Sequence, residues 1–429
     1  MRIERIAVIG AGMAGMSAAL ALARAGFKVS LFEAFATPRP LGAGLLLQPT
    51  GQAALRALRL YDQVADKSAR VERLIGRTPG GGAVLNLEYA RLRPDAFGLG
   101  VHRGVLFEAL YQAVCAAPIT RILDFEVERI EQTTGSVHTI CGASRGPFDL
   151  VLIADGAHSR LREKLFPAAR APIYPWGALW TIVPDPDKAC AGELRQVYAG
   201  AQVMIGLLPI GPGADGGADG GADGGADAAA LFWSMPARHE ARWRAAGLDA
   251  WVDDIRRYWP EAADFAARVA GPQDVAFAVY RDVRVRDWRK GRLLLLGDAA
   301  HGTSPQLGQG ANLALVDGLT IAAALSAHRD DLDAAIGAFA AARKDLVGWT
   351  QFMSRWLTPA FQSGVPGMGL LRNLTLPIAR FLPPLEKLML STLAGDRAGL
   401  FAAATPPAPP DATAGRSEAM PEPAQSWTR

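Results

Sequence analysis

Residues 291–317 read GRLLLLGDAAHGTSPQLGQGANLALVD, so a run of leucines delivers a carboxylate, Asp298, and an imidazole, His301, into a loop with glycines at 302, 308 and 310. An acid and an imidazole three residues apart are candidates for paired proton transfer. Two further stretches carry chemistry. Gly10-Ala-Gly12-Met-Ala-Gly15 has the spacing of a phosphate-binding turn, with Glu33 further on. Asp155-Gly156-Ala-His-Ser159-Arg-Leu-Arg162 places an acid, a hydroxyl and a cation on one short segment.

The elements around these residues narrow their roles. Residues 3–9 form a short apolar strand, 13–25 carry an alanine- and leucine-rich helical pattern stopped by Gly26, and 28–32 form a second strand. That is a parallel strand–helix–strand unit of about 30 residues. Gly10 then permits the tight turn, Gly12 lets the backbone approach a pyrophosphate, and Gly15 allows close helix–strand packing. The amides of Met13 and Ala14 face the anion. Glu33 can accept hydrogen bonds from both ribose hydroxyls. Strand, helix and acid together predict dinucleotide binding, although the glycines alone do not separate FAD from NAD. Residues 149–154 and 293–296 are apolar strands, so Asp155 and Asp298 also stand at strand ends.

Bulk properties exclude several classes. The 429 residues are 50% hydrophobic and 20% charged, with a net charge of +3, which suits a large globular chain and no nucleic acid. Cys115, Cys141 and Cys190 are widely spaced without a C-x-x-C, which fits a reduced cytoplasmic protein with no disulfide and no metal site. The N-terminus lacks the pattern of a signal peptide, and no charge-free apolar run of about 18 residues appears.

Taken together, the three stretches resemble the FAD-dependent aromatic-ring monooxygenases of the para-hydroxybenzoate hydroxylase type, which also include the ubiquinone-biosynthesis hydroxylases. The resemblance covers about residues 1–395 and rests on the glycine turn with Glu33, on the D-G-x-x-S-x-x-R match at Asp155–Arg162, and on Gly297-Asp298 continuing to Pro305, Gly308, Gly310 and Asn312. It implies that Asp298 contacts the ribityl chain of FAD, and that the amides around Gly308, Gly310, Ala311 and Asn312 face the pyrimidine edge of the flavin. Pro305 would lie beside the reacting face. Arg103 matches an arginine that contacts the FAD phosphate and ribityl region, Gly44 belongs to a loop along the other side of the flavin, and Val127 fits a strand that touches adenine. Asp155 would serve FAD and NAD(P)H, or else Arg162 would pair with a carboxylate as fold support. His301 is demoted from acid/base catalyst to loop support through a backbone hydrogen bond, with a proton-relay role as the lesser alternative.

The activity implied is single-component, NAD(P)H-using hydroxylation of an aromatic or related unsaturated small molecule, such as a quinol, by O2 through a flavin C4a-hydroperoxide. A prenyl-lipid reductase or halogenase on the same fold is the alternative, as is a flavin protein without oxygenase activity. The implied architecture is α/β. A Rossmann-like FAD-binding domain is discontinuous over residues 1–70, 100–168 and 281–330. A mainly antiparallel β-sheet substrate domain occupies 71–99 and 169–280, with a low-complexity Ala-Asp-Gly-Gly loop at 211–229. C-terminal helices span 331–400, and a Pro/Ala-rich disordered tail spans 401–429.

Substrate-wall candidates are Trp176, Trp180, Tyr198, Met204, Phe232, Trp233 and Tyr280, of which only those on the flavin side can matter. Arg281 is a candidate anchor for an anionic substrate, although the arginine-rich text around it reads more simply as solvated. The apolar stretch 356–393 is expected to pack on the FAD domain, with weak membrane-surface contact as the alternative.

Overall fold

The computed structural model describes residues 2–39, 44–212 and 227–404. Its parallel sheet runs in the order Arg289–Lys290, Leu293–Leu295, Leu150–Ile153, Arg5–Ile9, Lys28–Phe32 and Ile119–Ile122, with only the first strand antiparallel. These strands read as continuous apolar runs because both sheet faces are covered. Ile6, Val8, Leu31, Leu152 and Leu294 pack under the helices Met13–Arg24, Arg103–Ala116 and Gly310–Ala327. The alternate residues Ala7, Ile9, Phe32, Val151 and Leu295 meet Phe125, Val127 and Val137 from the segment carrying a small three-stranded sheet. Gly310–Ala327 is long and apolar enough to cross a bilayer, yet 72% of it is buried inside the fold, as in a core helix.

A nine-stranded, mainly antiparallel sheet forms the second layer system. Its outer face, with Leu179, Ile205, Leu231 and Trp233, is covered by helices Glu240–Tyr258 and Pro260–Ala266. Its inner face, with Tyr198, Met204, Leu208 and Phe232, packs against Phe361, Leu390 and Leu393 of the C-terminal helices. The strands Val203–Gly211 and Ala228–Pro236 pair antiparallel as a hairpin flanking the low-complexity repeat, most of which lies outside the described residues. Residues 405–429 of the tail lie outside them too.

Sheet membership departs from the sequence reading in one respect. Gly44–Leu47 and Gly98–His102 pair with each other, and Gly98–His102 pairs with Ser68–Arg77, all inside the large sheet. Segments assigned to the cofactor domain therefore contribute strands to the other one. Gly44 is needed there for packing, since a Cβ would stand 2.5 Å from the Ala230 Cβ.

The C-terminal helices also divide. The first part of Leu332–Phe361 packs on Gly310–Ala327 through Ile336 and Phe339. The later helices close over the large sheet and are pinned by the ion pairs Arg91–Glu386 (2.5 Å) and Arg93–Asp396 (2.7 Å). Their outer surface is apolar: Trp356, Leu370, Leu374, Ile378 and Phe381 are each at least half exposed.

Candidate functional site

The three chemical stretches meet. A Cβ on Gly10, whose φ is +100°, would fall 2.5 Å from the Ala154 carbonyl oxygen, so the glycine turn touches the strand that ends at Asp155. A Cβ on Gly297 (φ +57°) would fall 2.6 Å from the Ala14 Cβ, which sets the Asp298 turn against the first helix. Arg162 completes the triangle by donating to the carbonyls of Ala299 (3.2 Å) and Ala157 (2.9 Å). Arg162 is fully buried and pairs with no carboxylate among the described residues, which corrects the paired-arginine expectation. Ser159 caps the following short helix by accepting from the Arg162 amide at 2.9 Å.

Two helix N-termini open on this junction without side-chain caps. The first intrahelical bond of Met13–Arg24 runs from Met16 N–H to the Gly12 carbonyl (2.9 Å), leaving the amides of Met13, Ala14 and Gly15 free. Gly15 is packed tightly, since its Cβ would stand 1.9 Å from the Gly10 oxygen, whereas a Cβ on Gly12 would meet nothing within 4 Å. The helix Gly310–Ala327 likewise begins with Leu313 N–H bonded to Gln309 (2.9 Å), which frees the amides of Gly310, Ala311 and Asn312. Gly308 holds the left-handed turn before it, at φ +59° with open space where a Cβ would be. Free amides at helix ends form ready anion sites.

Between the two helix ends stand Asp298 and Arg103. Asp298 is exposed and its carboxylate has no hydrogen-bond or close ion-pair partner among the described residues, although it acts on Arg103 through space; it lies 3.8 Å from the Cβ position of Gly310. Arg103 begins Arg103–Ala116, where the His102 ring accepts from the Gly104 amide at 3.1 Å. Surrounding protein pushes the Arg103 pKa down while Asp298 and Tyr280 act to raise it, yet its side chain remains accessible. A group both hemmed in and wet lies in the wall of a deep cleft. Glu33 at the far end accepts from the Ala11 amide (2.8 Å) and the Phe35 amide (3.1 Å), one bond per oxygen, so each oxygen keeps a lone pair for a ribose hydroxyl. Asp155 is part-buried with Oδ1 unpartnered, and burial raises its pKa.

His301 turns away from the cleft. It is 2% exposed, and its Nε2 lies 2.7 Å from Asp317 Oδ2. The same carboxylate accepts from the Gly297 amide at 2.8 Å and from Arg343 Nε at 2.7 Å. His301 therefore supports the loop through a side-chain carboxylate on another helix, not through the backbone hydrogen bond expected from local sequence. Asp298 and His301 diverge and form no acid/base pair. Asp317 and Arg343 were missed by the sequence reading; the available signal was a lone acid interrupting the apolar run of residues 310–327.

The remaining residues fall into place around the cleft. Asn312 donates to the Leu46 carbonyl (3.2 Å) and accepts from the Gln48 amide (2.9 Å), which ties the loop helix to the strand after Gly44. Residues 40–43 of that loop, including Gly42, lie outside the described residues. Pro305 opens a short 3-10 turn and is partly exposed. Val127 is buried in an extended segment between Ile119–Ile122 and Arg129–Ile130, not in a strand, because the run 119–130 breaks at Leu123-Asp124.

The sheet divides the candidate aromatics between its two faces. Trp180, Met204, Phe232 and Tyr198 belong to the inner face, whereas Trp233 belongs to the outer one. Trp180 Nε1 donates to the Tyr280 hydroxyl (3.0 Å), whose pKa is raised to about 12 by burial. Arg281 Nη1 donates to the Ala171 carbonyl (3.0 Å) and lies 3.6 Å from Glu163, while its Nε is buried without a hydrogen-bond partner.

A parallel sheet with paired anion sites at its strand ends, backed by an antiparallel sheet with an aromatic inner face, suits a dinucleotide-binding enzyme, and sequence likeness puts the chain among the FAD-dependent aromatic-ring monooxygenases. The chain belongs to the family described as FAD binding domain, whose profile matches residues 4–332. It is 32% identical over 376 residues to the kynurenine 3-monooxygenase of Salinispora arenicola, covering 80% of this chain and 77% of that protein. It is 28% identical over 330 residues to the 6-hydroxynicotinate 3-monooxygenase of Bordetella bronchiseptica, covering 73% and 80%. Among solved structures, Klebsiella pneumoniae HpxO complexed with FAD and uric acid shares the fold at a TM-score of 0.75 and 21% identity, over 92% of this chain and 98% of that one. Pseudomonas aeruginosa PqsL in complex with 2-aminobenzoylacetate does so at a TM-score of 0.74 and 21% identity, over 87% and 99%. FAD is the cofactor, and the chain is an oxidoreductase acting on a small molecule.

Proposed function

We propose that this chain hydroxylates a small aromatic molecule, with NAD(P)H as transient reductant and O2 as the source of the inserted oxygen. The observation that supports this most is the convergence of two uncapped helix ends with the unpartnered Asp298 and Arg103 on one cleft, beside an aromatic sheet face. Bound FAD supplies electron storage and oxygen activation; the chain supplies position, charge and shelter from water.

In this reading Met13 and Ala14 donate to the pyrophosphate, and the bare Gly12 lets it come close. Gly10 and Gly15 hold the turn. Glu33 takes the ribose hydroxyls, and the backbone at Val127 borders adenine. Asp298 accepts from the ribityl hydroxyls, with Arg103 at the phosphate. The amides of Gly310, Ala311 and Asn312, after the turn at Gly308, face the pyrimidine edge, where free donors at a helix end stabilise negative charge. Pro305 borders the reacting face, Gly44 opens the strand on the other side, and Asp155 serves FAD and the transient NAD(P)H.

The test is a panel of phenols, anilines and heteroaromatics scored by how far each accelerates flavin reduction by NADH and NADPH. At least one is expected to do so and to return a hydroxylated product. Reduction that no aromatic accelerates, with no product formed, would count against hydroxylation and favour a reductase.

Two finer points belong with this reading. The half-exposed Trp356, Leu370, Leu374 and Ile378 support a weak lipid-surface contact through 356–393, checked by flotation with anionic vesicles. Three free thiols, two of them exposed, support a reducing compartment such as the cytoplasm.

A further inference from the structure

An open hollow of about 680 Å³ lies beside the small three-stranded sheet, away from the cofactor cleft. Its floor is the parallel sheet. Successive residues of a strand point to opposite faces, so Arg5 shares a face with Ala7 and Ile9, and Ser30 with Phe32. Towards the strand ends that face is apolar and covered by Phe125, Val127 and Val137. One step back it turns polar: Ser30 pairs directly with Thr120, and Arg5 stands in the strand alongside. The wall is Ser144–Arg145, which pairs only with Val137–His138 at the edge of the small sheet, followed by Pro147 and Phe148. No carboxylate among the described residues lines it.

Both guanidiniums of the hollow are held by rings and not by acids. Arg5 lies 5.6 Å from the centre of the Phe148 ring, and Arg145 5.9 Å from that of Phe125. Those two rings flank Phe32 at 5.8 and 5.2 Å, so both cations stand on one aromatic cluster. Arg145 Nη1 donates to the Ser144 carbonyl (2.8 Å); the Arg5 side chain makes no hydrogen bond, and neither arginine forms an ion pair among the described residues. Asp149, close by in sequence, is taken up by the amides of Glu4 and Arg5 at 2.9 Å each. The hydroxyls of Ser30, Thr120 and Ser144 make no hydrogen bond among the described residues either. Two fixed cations without acids around one hollow concentrate anions there.

We propose that this hollow binds a small phosphate monoester, its phosphate between Arg5 and Arg145 and its organic body over Ile122, Pro147 and Phe148. Two guanidinium forks and three free hydroxyls supply more donors than the two oxygens of one carboxylate use, and suit the three oxygens of a phosphate monoester. A bare phosphate ion would leave most of the volume unfilled, and the hollow falls within the roughly 300–1,000 Å³ of small-molecule sites. The site is distinct from the cofactor's, because Glu33 faces the ribose beyond the end of the strand Lys28–Phe32 that carries Ser30. It does not depend on the hydroxylase reading.

The experiment titrates FAD-loaded enzyme by calorimetry, in phosphate-free buffer, with glucose 6-phosphate, phenyl phosphate, inorganic phosphate, malonate and glucose. At least one ester is expected to bind with a single site, more tightly than inorganic phosphate, malonate or glucose. In Arg5→Gln and in Arg145→Gln its Kd should rise about 10- to 100-fold, the worth of lost charge-assisted hydrogen bonds. FAD content and melting temperature should hold, since both side chains are exposed. Arg145→Lys should recover part of the affinity, keeping the charge without the fork, and it serves if a glutamine variant does not fold. Arg256→Gln removes the same charge from the remote helix Glu240–Tyr258, where Arg256 pairs with Asp253 at 2.6 Å, and should leave the Kd unchanged. Equal weakening there would reduce the binding to net charge and overturn the site. So would a wild type that binds no ester, an unchanged Kd in either glutamine variant, or malonate or inorganic phosphate binding as tightly as every ester. None of these readouts involves turnover, so failure here leaves hydroxylation standing.

Discussion

Asp317→Asn is the most telling single change, because one buried carboxylate holds the turn that presents Asp298. Asp317 accepts from Gly297, His301 and Arg343 at 2.7–2.8 Å and is fully buried. Asparagine keeps the shape and one oxygen but removes the charge, so Arg343 is left buried without its counter-ion. Removing one partner of a buried ion pair costs about 3–5 kcal/mol. With an unfolding entropy of roughly 2.1 cal/mol/K per residue, a chain of this length should melt about 3–5 °C lower. Burial works against the charge on Asp317, but His301, Arg343 and the Gly297 amide outweigh it and hold the carboxyl below its ordinary value. A depressed carboxylate contributes stability that is fully present above the unfolded value of about 3.9 and is lost as pH falls through the folded value. The gap between wild type and variant should therefore be present at neutral pH and narrow as pH falls below about 4. Urea denaturation of the apo-protein across this range measures it, with FAD titration at pH 7 alongside. A variant within about 0.5 kcal/mol of wild type and unchanged in FAD affinity would refute the clamp.

Three further outcomes follow from the same geometry. Gly12→Ala should leave apo stability unchanged, since its Cβ meets no protein atom, but weaken FAD at least about tenfold if the pyrophosphate lies there. Gly15→Ala, 1.9 Å from the Gly10 oxygen, should destabilise the apo-protein itself, and calorimetry on both variants separates the two effects. Asp298→Ala should reduce FAD retention on gel filtration without lowering apo stability, because the side chain has no protein partner among the described residues. Asp155→Asn should stabilise the apo-protein at pH 7: burial raises this acid's pKa, so its ionisation costs stability as pH rises through the folded value. The difference should vanish in acid, as denaturation at pH 4 and 7 would show.

The cofactor side of the fold was legible because local pattern and long-range geometry agree there. Gly10–Gly15, Asp155–Arg162 and Gly297–Asn312 each announce a strand end followed by a turn and a helix, and ligand crevices form where such ends converge. His301, expected to order its loop through a backbone hydrogen bond, instead meets Asp317, which lies a helix away and which nothing local marks. Gly44–Leu47 was read as loop because four residues carry too little periodicity, and its strand identity comes only from pairing with Gly98–His102. The inner and outer faces of the large sheet were not separable in sequence. Trp180 and Trp233 sit in equally aromatic strands, and only the helices Glu240–Tyr258 and Pro260–Ala266 covering one face tell them apart.

The central claim is oxygen insertion by a flavin held in the cleft of Asp298, Arg103 and the two open helix ends. Its most direct test is turnover under 18O2 with NADH or NADPH and an aromatic that accelerates flavin reduction. One 18O atom in the product ring, with stoichiometric FAD on the enzyme and loss of both in Asp298→Ala, is the predicted result. Product carrying oxygen from water, or NAD(P)H consumption that yields only hydrogen peroxide with every aromatic, would contradict it.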